Sequence, residues 1–183
     1  KHYSDLGKKQ EIVMYGILIK DGICLKADIP LALTYIKKAI DFEDPTALAY
    51  YALMLYEGNG VDKNVDEGLK LLQKAADNGS DIAMNSYAAM LEEGTNVEKN
   101  FEKALSYYKK AANNKNMKAL YNLGCIISTD HEHIYFKVKN NVRTASLFFK
   151  EAADQGILEA IYQYGKFEGS LNYIKKAAKM GHP

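Results

Sequence analysis

One stretch of this chain occurs three times without a gap, and this regularity constrains the fold more than any other feature. The stretch covers residues 58–76 and reads GNGVDKNVDEGLKLLQKAA. Related stretches cover residues 22–40 and 94–112, each displaced by 36 residues. A fixed period of this size is typical of a solenoid, in which each repeat buries its apolar face only against its neighbours. The sequence therefore predicts a stack of repeated supersecondary units.

Each repeat has the pattern of two helices joined by a turn. In the second repeat the apolar residues have helical spacing over 46–57 and again over 65–78. Pro45 suits the first turn of a helix, where its missing N–H leaves no bond unmade. Gly58 suits the left-handed end of the first helix. Asn64, with a glutamate three residues later, has the pattern of a capping box for the second.

One position in the middle of every first helix carries a small residue. Its occupants are Gly16, Ala52, Ala88, Gly124 and Gly165. A glycine inside a helix costs about 1 kcal/mol relative to alanine. Because that cost must be offset elsewhere, we expect the two helices of each repeat to approach closely at this position.

The repeated pattern resembles the Sel-one-like repeat, a relative of the tetratricopeptide repeat. The family pattern combines small and apolar residues in the first helix, a Gly-x-Gly-Val turn and a closing Lys-Ala-Ala. In this chain it appears as Ala47, Tyr51, Ala52, Leu55, Gly58, Gly60, Val61, Lys63, Asn64, Lys74, Ala75 and Ala76, and again at Ala119, Leu123 and Gly124. The resemblance covers nearly the whole chain. It implies an all-α, right-handed α-solenoid of about five helix-turn-helix repeats that makes protein–protein contacts.

The register divides the chain into five repeats within one predicted solenoid domain, residues 1–183. The approximate repeat ranges are 10–43, 44–79, 80–115, 116–156 and 157–183. The fourth repeat is five residues longer than the period, and the extra residues fall within 129–141. Because neither end shows the polar capping helix of a complete array, we expect a fragment of a longer array or of a multidomain protein.

The fifth repeat is eleven residues shorter than the period. Its predicted helices cover residues 159–167 and 171–180, and the Gly-x-Gly-Val turn between them is missing. Two explanations fit: a true deletion, or an inter-helix loop that is absent from this sequence. We favour the absent loop, because the residues on both sides of the junction have the pattern of helix interiors.

The composition argues against nucleic acid and membrane as partners. The net charge is +1, and all but one of the 24 basic residues are lysine, Arg143 being the exception. The chain therefore has almost no arginine side chains, whose guanidinium groups donate paired hydrogen bonds to guanine and phosphate. No stretch approaches the ~20 apolar residues of a membrane span, and the short apolar segment 12–19 has the pattern of a core helix rather than a signal peptide. We expect no nucleic-acid partner and no direct membrane insertion.

The two cysteines, Cys24 and Cys125, belong to the first and fourth repeats. Three steps between stacked helices separate them by roughly 25 Å. A disulfide needs Cα atoms within about 7 Å of each other, so both thiols are predicted to be free. Free thiols favour an intracellular, reducing compartment, although the sequence holds no targeting signal that specifies the localisation.

No cluster of residues in the sequence predicts catalysis. His131 and His133 form the one group with metal-ligand character, but a zinc site needs three or four ligands and the spacing supplies no third. Cys125 has no histidine in the equivalent neighbouring helices to act as its base. The glycines 58 and 60 are not followed by the Gly-Lys-Ser/Thr of a phosphate loop. We therefore expect no catalytic residue, no metal and no cofactor.

The predicted binding site is the concave groove that first helices line in tetratricopeptide-like solenoids. Residues opposite the core stripe face this groove, and the register gives Asn85, Tyr121, Tyr162, Tyr56, Glu57, Glu92, Glu93, Lys118 and Lys166 as its principal lining. Val13 and Ala49 occupy equivalent positions. Other tyrosines fall on core positions, namely Tyr51, Tyr87, Tyr108 and Tyr164. Tyrosine and polar side chains in a concavity suit protein or peptide recognition, and the glutamates predict a partner segment with basic character.

Three functions are compatible with these patterns. The first is a non-catalytic adaptor that binds a peptide or protein segment in the groove. The second is an architectural module that associates with another copy of itself. The third is a regulatory interaction domain attached to an enzyme outside this sequence. Sedimentation at two concentrations separates the second function from the first, and the sequence beyond residues 1 and 183 separates the third.

Overall fold

The computed structural model describes residues 2–21, 28–128 and 141–182, and this part of the chain is helical with no strand. The insertion of the fourth repeat, with His131 and His133, lies outside the described residues, as does Cys24. The helices are α1 His2–Asp21, α2 Ile29–Ile40, α3 Pro45–Glu57, α4 Val65–Asp77, α5 Asp81–Glu93, α6 Phe101–Asn113, α7 Met117–Ser128, α8 Asn141–Asp154, α9 Leu158–Phe167 and α10 Leu171–Lys179. They confirm the all-α, helix-turn-helix prediction.

The ends of α3 are formed by the residues that the sequence predicts. Asp44 caps its start, because the Oδ1 atom accepts from the backbone N–H groups of Thr46 at 2.8 Å and Ala47 at 2.9 Å. Pro45 follows as the first helical residue. Gly58 ends the helix with a left-handed φ of 78°, and its N–H donates to the carbonyl oxygen of Met54. These local bonds satisfy groups that a helix end leaves without an internal partner.

The predicted capping box at the start of α4 is only half formed. The Oδ1 atom of Asn64 accepts from the N–H of Glu67 at 3.1 Å. The N–H of Asn64, however, donates to the carbonyl oxygen of Leu55 at 2.8 Å, not to the glutamate side chain. The carbonyl of Leu55 lies in the last turn of α3, where no N–H group of the same helix donates to it. The turn between the helices places it next to the start of α4. In the next repeat, the N–H of Asn100 donates to Leu91 in the same way.

The chain divides into two compact units, unit 1 (Lys1–Asn100) and unit 2 (Phe101–Pro183). In unit 1, α1 packs on α2 and α3 on α4, while α2 contacts α3, α4 contacts α5, and α3 lies beside α5. In unit 2, α7 packs on α8 and α9 on α10, while α6 contacts α7 and α8 contacts α9. Consecutive helices thus cover one another within each unit, as the repeat predicts.

The small position of each first helix is a close helix contact, as predicted. A Cβ atom built on Gly124 would lie 2.6 Å from a ring carbon of Phe149 in α8. One built on Gly165 would lie 2.9 Å from a side-chain carbon of Ile174 in α10. The alanines at this position, Ala52 and Ala88, have no exposed surface. The glycines are therefore required by the space between paired helices.

A second small position, on the second helices, is revealed by the structure. A Cβ built on Gly68 in α4 would lie 2.9 Å from the carbonyl oxygen of Ala52 and 2.9 Å from the backbone nitrogen of Tyr56. The backbones of α3 and α4 are therefore almost in contact at this point. The equivalent residues are small and fully buried, namely Ala32, Ala104 and Ala145.

Replacing Ala88 by leucine should lower the free energy of unfolding by about 1–3 kcal/mol, because three heavy atoms would enter a filled contact. Ala88 has no exposed surface, so the larger side chain has no solvent to turn towards. Urea unfolding followed by circular dichroism measures the change. Ala178→Leu, at an exposed alanine of α10, is the control and should leave stability within about 0.5 kcal/mol. Equal stability of both variants would show that α5 is not closely packed.

The fifth repeat consists of two helices joined by a three-residue turn, residues 168–170. The N–H of Glu168 donates to Tyr164 and that of Ser170 to Gly165, while Gly169 has a φ of 62°. Both helices predicted here are confirmed. Backbone hydrogen bonds thus close the turn between α9 and α10.

Candidate functional site

In unit 1 the candidate site lies where the C-terminal ends of α3 and α5 stand side by side. The half-buried Tyr56 accepts a hydrogen bond at its hydroxyl oxygen from the Nδ2 atom of Asn96, at 2.8 Å. Asn96 follows α5 and has a left-handed φ of 58°. This bond joins α3 to the turn of the next repeat and fixes the tyrosine ring at the edge of the unit.

Three carboxylates lie at the same helix ends. Glu57 is the last residue of α3, and Glu92 and Glu93 are the last two of α5. Glu57 and Glu93 are exposed, and the Oε2 atom of Glu93 accepts from the hydroxyl of Thr95 at 3.1 Å. Neither helix has a basic residue in its last turn. We call Glu57, Glu92 and Glu93 the acidic edge.

Carboxylates at a helix C-terminus are electrostatically unfavourable, because that end of the helix dipole is already negative. At the acidic edge, two such ends and three carboxylates occur on neighbouring first helices. The resulting negative potential favours a cation.

Two residues predicted to line the groove are buried instead. Val13 is 5% exposed and belongs to the core of unit 1, and Ala49 has no exposed surface. Their register equivalent in α5, Asn85, is half-buried. The correction has a physical reason for Val13, which packs in one cluster with Ile36 of α2 and Met54 of α3.

In unit 2 the predicted groove residue Tyr121 is also a packing residue. Its ring lies 5.9 Å from the ring of Phe149, and it packs on the core formed by Ile127, Ala145 and Phe149. Its hydroxyl is hydrogen-bonded to the thiol of Cys125 one helical turn away. Burial raises the pKa of Tyr121 to about 12, and Cys125 and the charge of Glu159 in α9 add to this effect. The phenol therefore remains neutral and acts through its ring and its hydrogen bond.

Tyr162 occupies the equivalent position in α9 and is half-buried. The ring of His182 stacks on it, with centroids 4.2 Å apart and an interplanar angle of 16°. The Nζ atom of Lys166 lies 5.9 Å from the same ring centroid. Lys118 and Lys166 are both exposed. This part of unit 2 is thus aromatic and basic, whereas the acidic edge belongs to unit 1.

The structure brings some predicted residues together and adds two that the sequence pattern does not single out. Tyr121 interacts with Cys125 and with the charge of Glu159 in unit 2, and Glu57, Glu92 and Glu93 lie together at the helix ends of unit 1. Asn96 and His182 are the additions. Asn96 has a signal that could be recognised, since it stands 36 residues after Gly60, and asparagine is one of the few residues that tolerate a left-handed backbone. His182 has no comparable pattern.

The tyrosines assigned to packing are buried or half-buried. Tyr87 and Tyr108 are 6% and 1% exposed, and the hydroxyl of Tyr87 donates to the Oε1 atom of Gln73 at 3.1 Å. Tyr51 and Tyr164 are half-buried against the apolar clusters. The sequence register thus assigns these four side chains correctly.

The part of the chain that the structure describes offers little for metal chemistry. Over residues 2–21, 28–128 and 141–182, no group of three His, Cys, Asp or Glu side chains could hold a metal ion. Cys125 forms no disulfide bond with another described residue. Within the same residues, no helix combines the length and the apolar character that crossing a membrane requires.

Comparisons with known proteins agree with the repeat architecture. The family model described as Sel1 repeat matches residues 12–41, 45–80, 81–116, 118–157 and 158–182. The crystal structure of a Sel1 repeat protein from Oxalobacter formigenes is similar, with a TM-score of 0.77 and 25% sequence identity over 95% of this chain and 74% of that one. No curated protein is a significant match in sequence.

A second similar structure is that of c5321, a protective antigen of uropathogenic Escherichia coli that displays an SLR fold. The TM-score is 0.74 at 22% identity, over 98% of this chain and 40% of that chain, so this likeness concerns the fold alone. Together with the helix pairs, it confirms the α-solenoid prediction. Sel1 repeat proteins generally mediate protein–protein interactions and generally serve as non-catalytic scaffolds. Because matched repeats cover almost the whole described sequence, the chain belongs to the Sel1 repeat family.

Proposed function

We propose that this chain is a non-catalytic interaction scaffold, whose first helices bind a protein or peptide segment of basic character. The acidic edge is the observation that carries the proposal. Its three carboxylates lie at the negative ends of α3 and α5, where they lower helix stability rather than raise it. A bound lysine or arginine would neutralise both the carboxylates and the helix ends.

Asn85 and Tyr56 supply contacts of another kind within unit 1. The amide of Asn85 offers both donors and acceptors, so it can pair with the backbone of an extended segment. It is half-buried on α5, the helix that ends at Glu92 and Glu93. Tyr56 is held by Asn96 and needs little ordering on binding. These residues would position the segment whose charges the acidic edge neutralises.

In unit 2, Tyr121 and Tyr162 are the proposed aromatic contacts. Tyrosine is enriched among residues that dominate binding energy, because its ring is large and has few rotatable bonds. Both rings are already braced, one by Phe149 and the other by His182. Lys118 and Lys166 are the proposed contacts for carboxylate or carbonyl groups of the partner. Asn85, Tyr121 and Tyr162 occupy one register position of the repeat, and we propose that Tyr121 and Tyr162 of unit 2 contact the same ligand.

Glu93→Lys should slow association with the partner and raise its Kd, with the larger effect at low salt, because exposed charges act mainly on encounter. The partner is first isolated by affinity capture with residues 1–183, and association is then measured at two ionic strengths. Glu67→Lys is the matched control, since Glu67 is an exposed glutamate of unit 1 that lies on a second helix. If Glu93→Lys and Glu67→Lys changed the association rate and the Kd equally, the binding site would not lie on the first helices.

Self-association is the competing function, and sedimentation at two concentrations distinguishes it. A scaffold for another protein should sediment identically at both concentrations. If the apparent mass rises with concentration and Glu93→Lys abolishes that rise, the acidic edge binds a second copy. That result would replace the proposed partner with the chain itself.

A further inference from the structure

The sequence contains two Asn-Gly pairs, and each follows a helix of the second repeat. Asn59 and Gly60 follow α3, and Asn78 and Gly79 follow α4. Asparagine before glycine is especially prone to deamidation, because glycine has no Cβ to keep its backbone nitrogen away from the preceding side-chain amide. The dipeptides alone therefore predict similar reactivity at the two pairs, and the fold decides between them.

At the first pair, neither reacting group is held by a hydrogen bond. Asn59 and Gly60 are both exposed. Within the described residues, no group accepts a hydrogen bond from the N–H of Gly60, and none bonds to the side-chain amide of Asn59. The backbone nitrogen of Gly60 can therefore approach the side-chain carbonyl of Asn59 without the loss of a native bond.

At the second pair, the corresponding nitrogen is held. The N–H of Gly79 donates to the carbonyl oxygen of Ala76 at 3.1 Å, and that of the next residue, Ser80, donates to Ala75 at 3.0 Å. Asn78 and Gly79 are also exposed, so the two pairs differ in backbone bonding and not in access to water. The end of α4 must open locally before the nitrogen of Gly79 can react.

The turn requires the glycine of the first pair but not the asparagine. Gly60 has a left-handed φ of 75°, and a Cβ built on it would overlap a side-chain carbon of Ile29 in α2. The position of Asn59 is occupied by Thr95 in the next repeat. The N–H of Thr95 donates to Met90 at 3.0 Å, as the N–H of Asn59 donates to the equivalent methionine at 3.0 Å. A residue without a side-chain amide therefore fits this turn.

We propose that Asn59 is a site of spontaneous deamidation in the folded protein. The backbone nitrogen of Gly60 attacks the Cγ atom of Asn59, and a new C–N bond forms. The Cγ–Nδ2 bond breaks, and the side-chain nitrogen leaves as ammonia with the proton of the Gly60 N–H. Water then opens the cyclic imide. Cleavage of the new C–N bond gives aspartate, and cleavage of the original peptide bond gives isoaspartate.

Either product changes the end of α3. A carboxylate appears two residues after Glu57, the last residue of this helix. The isoaspartate product also lengthens the main chain by one carbon in the turn between α3 and α4. The chain therefore acquires an acidic form with time. This inference concerns the chemistry of the turn and does not depend on the proposed function.

The rates of the two pairs can be compared within one molecule. The folded protein, residues 1–183, is incubated at physiological temperature in mildly alkaline buffer, and timed samples are digested with trypsin and measured by mass spectrometry. Asn59 is the only asparagine in residues 39–63, and fragment spectra identify Asn78 within residues 75–99. We expect Asn59 to deamidate about tenfold faster than Asn78, which corresponds to a net hydrogen bond of about 1.4 kcal/mol at Gly79.

Two controls assign the difference to the fold. In urea, where the N–H of Gly79 loses its native bond, Asn59 and Asn78 should deamidate at similar rates. Asn59→Thr should not form the early acidic species that isoelectric focusing detects in the wild-type protein. This variant should unfold at the same urea concentration as wild type, because Thr95 already occupies the equivalent turn.

Three results would overturn the proposal. The first is equal deamidation of Asn59 and Asn78 in the folded protein. The second is a difference of the same size in urea, because it would originate in the neighbouring sequence and not in the backbone bonds. The third is an acidic species that appears in Asn59→Thr as fast as in wild type.

Discussion

Replacing Phe149 by alanine should lower the free energy of unfolding by about 3–5 kcal/mol, the range for removing a buried phenylalanine. Phe149 is 1% exposed, and its ring lies between those of Tyr121 at 5.9 Å and Phe167 at 5.3 Å. It also fills the space that Gly124 leaves. The substitution would open a cavity that α7, α8 and α9 border, and rigid helix pairs can collapse only partly into such a cavity.

Leu147 provides the control on the same helix, since its side chain is 60% exposed. Leu147→Ala should change stability by less than about 0.5 kcal/mol. Urea unfolding followed by circular dichroism measures the stability of both variants. Because the repeats of a solenoid can unfold in separate transitions, the curves are fitted with more than one transition where needed. If Phe149→Ala unfolds at the same urea concentration as Leu147→Ala, the aromatic cluster does not stabilise unit 2.

Replacing Tyr121 by alanine should weaken binding of the captured partner by about 2 kcal/mol, roughly thirtyfold, if the ring is a dominant contact. The sequence pattern alone predicts little change in stability for this substitution. The structure corrects that expectation, because the ring packs on Phe149 and the core of unit 2. We therefore also expect a lower melting temperature.

Tyr121→Phe separates the two effects. Phenylalanine keeps the ring against Phe149 and loses only the hydroxyl that is bonded to Cys125. The Phe variant should melt close to wild type and recover most of the lost affinity. Calorimetric titration at a temperature where all variants are folded gives the comparison. Wild-type affinity in a folded Tyr121→Ala variant would exclude this ring from the binding site.

Much of the fold follows from the sequence because it depends on local pattern. The 36-residue period, Pro45 after a capping aspartate, and Gly58 at a left-handed position each act within a few residues of the chain. The small position at Gly124 is also predictable, because glycine inside a helix has a cost that only a close contact offsets. The positions of the acidic-edge residues can likewise be predicted from the register of the repeat.

The tertiary structure decided which surfaces are covered. Val13 and Ala49 share a register position with Asn85, yet the first two are buried and Asn85 is half-buried. Tyr121 occupies a predicted groove position and also packs in the core. The reason is that the ring of Phe149, which lies against Gly124, is also next to the ring of Tyr121. The exposed fraction of a side chain depends on how closely the surrounding helices pack. A periodic sequence identifies equivalent positions but does not determine that packing.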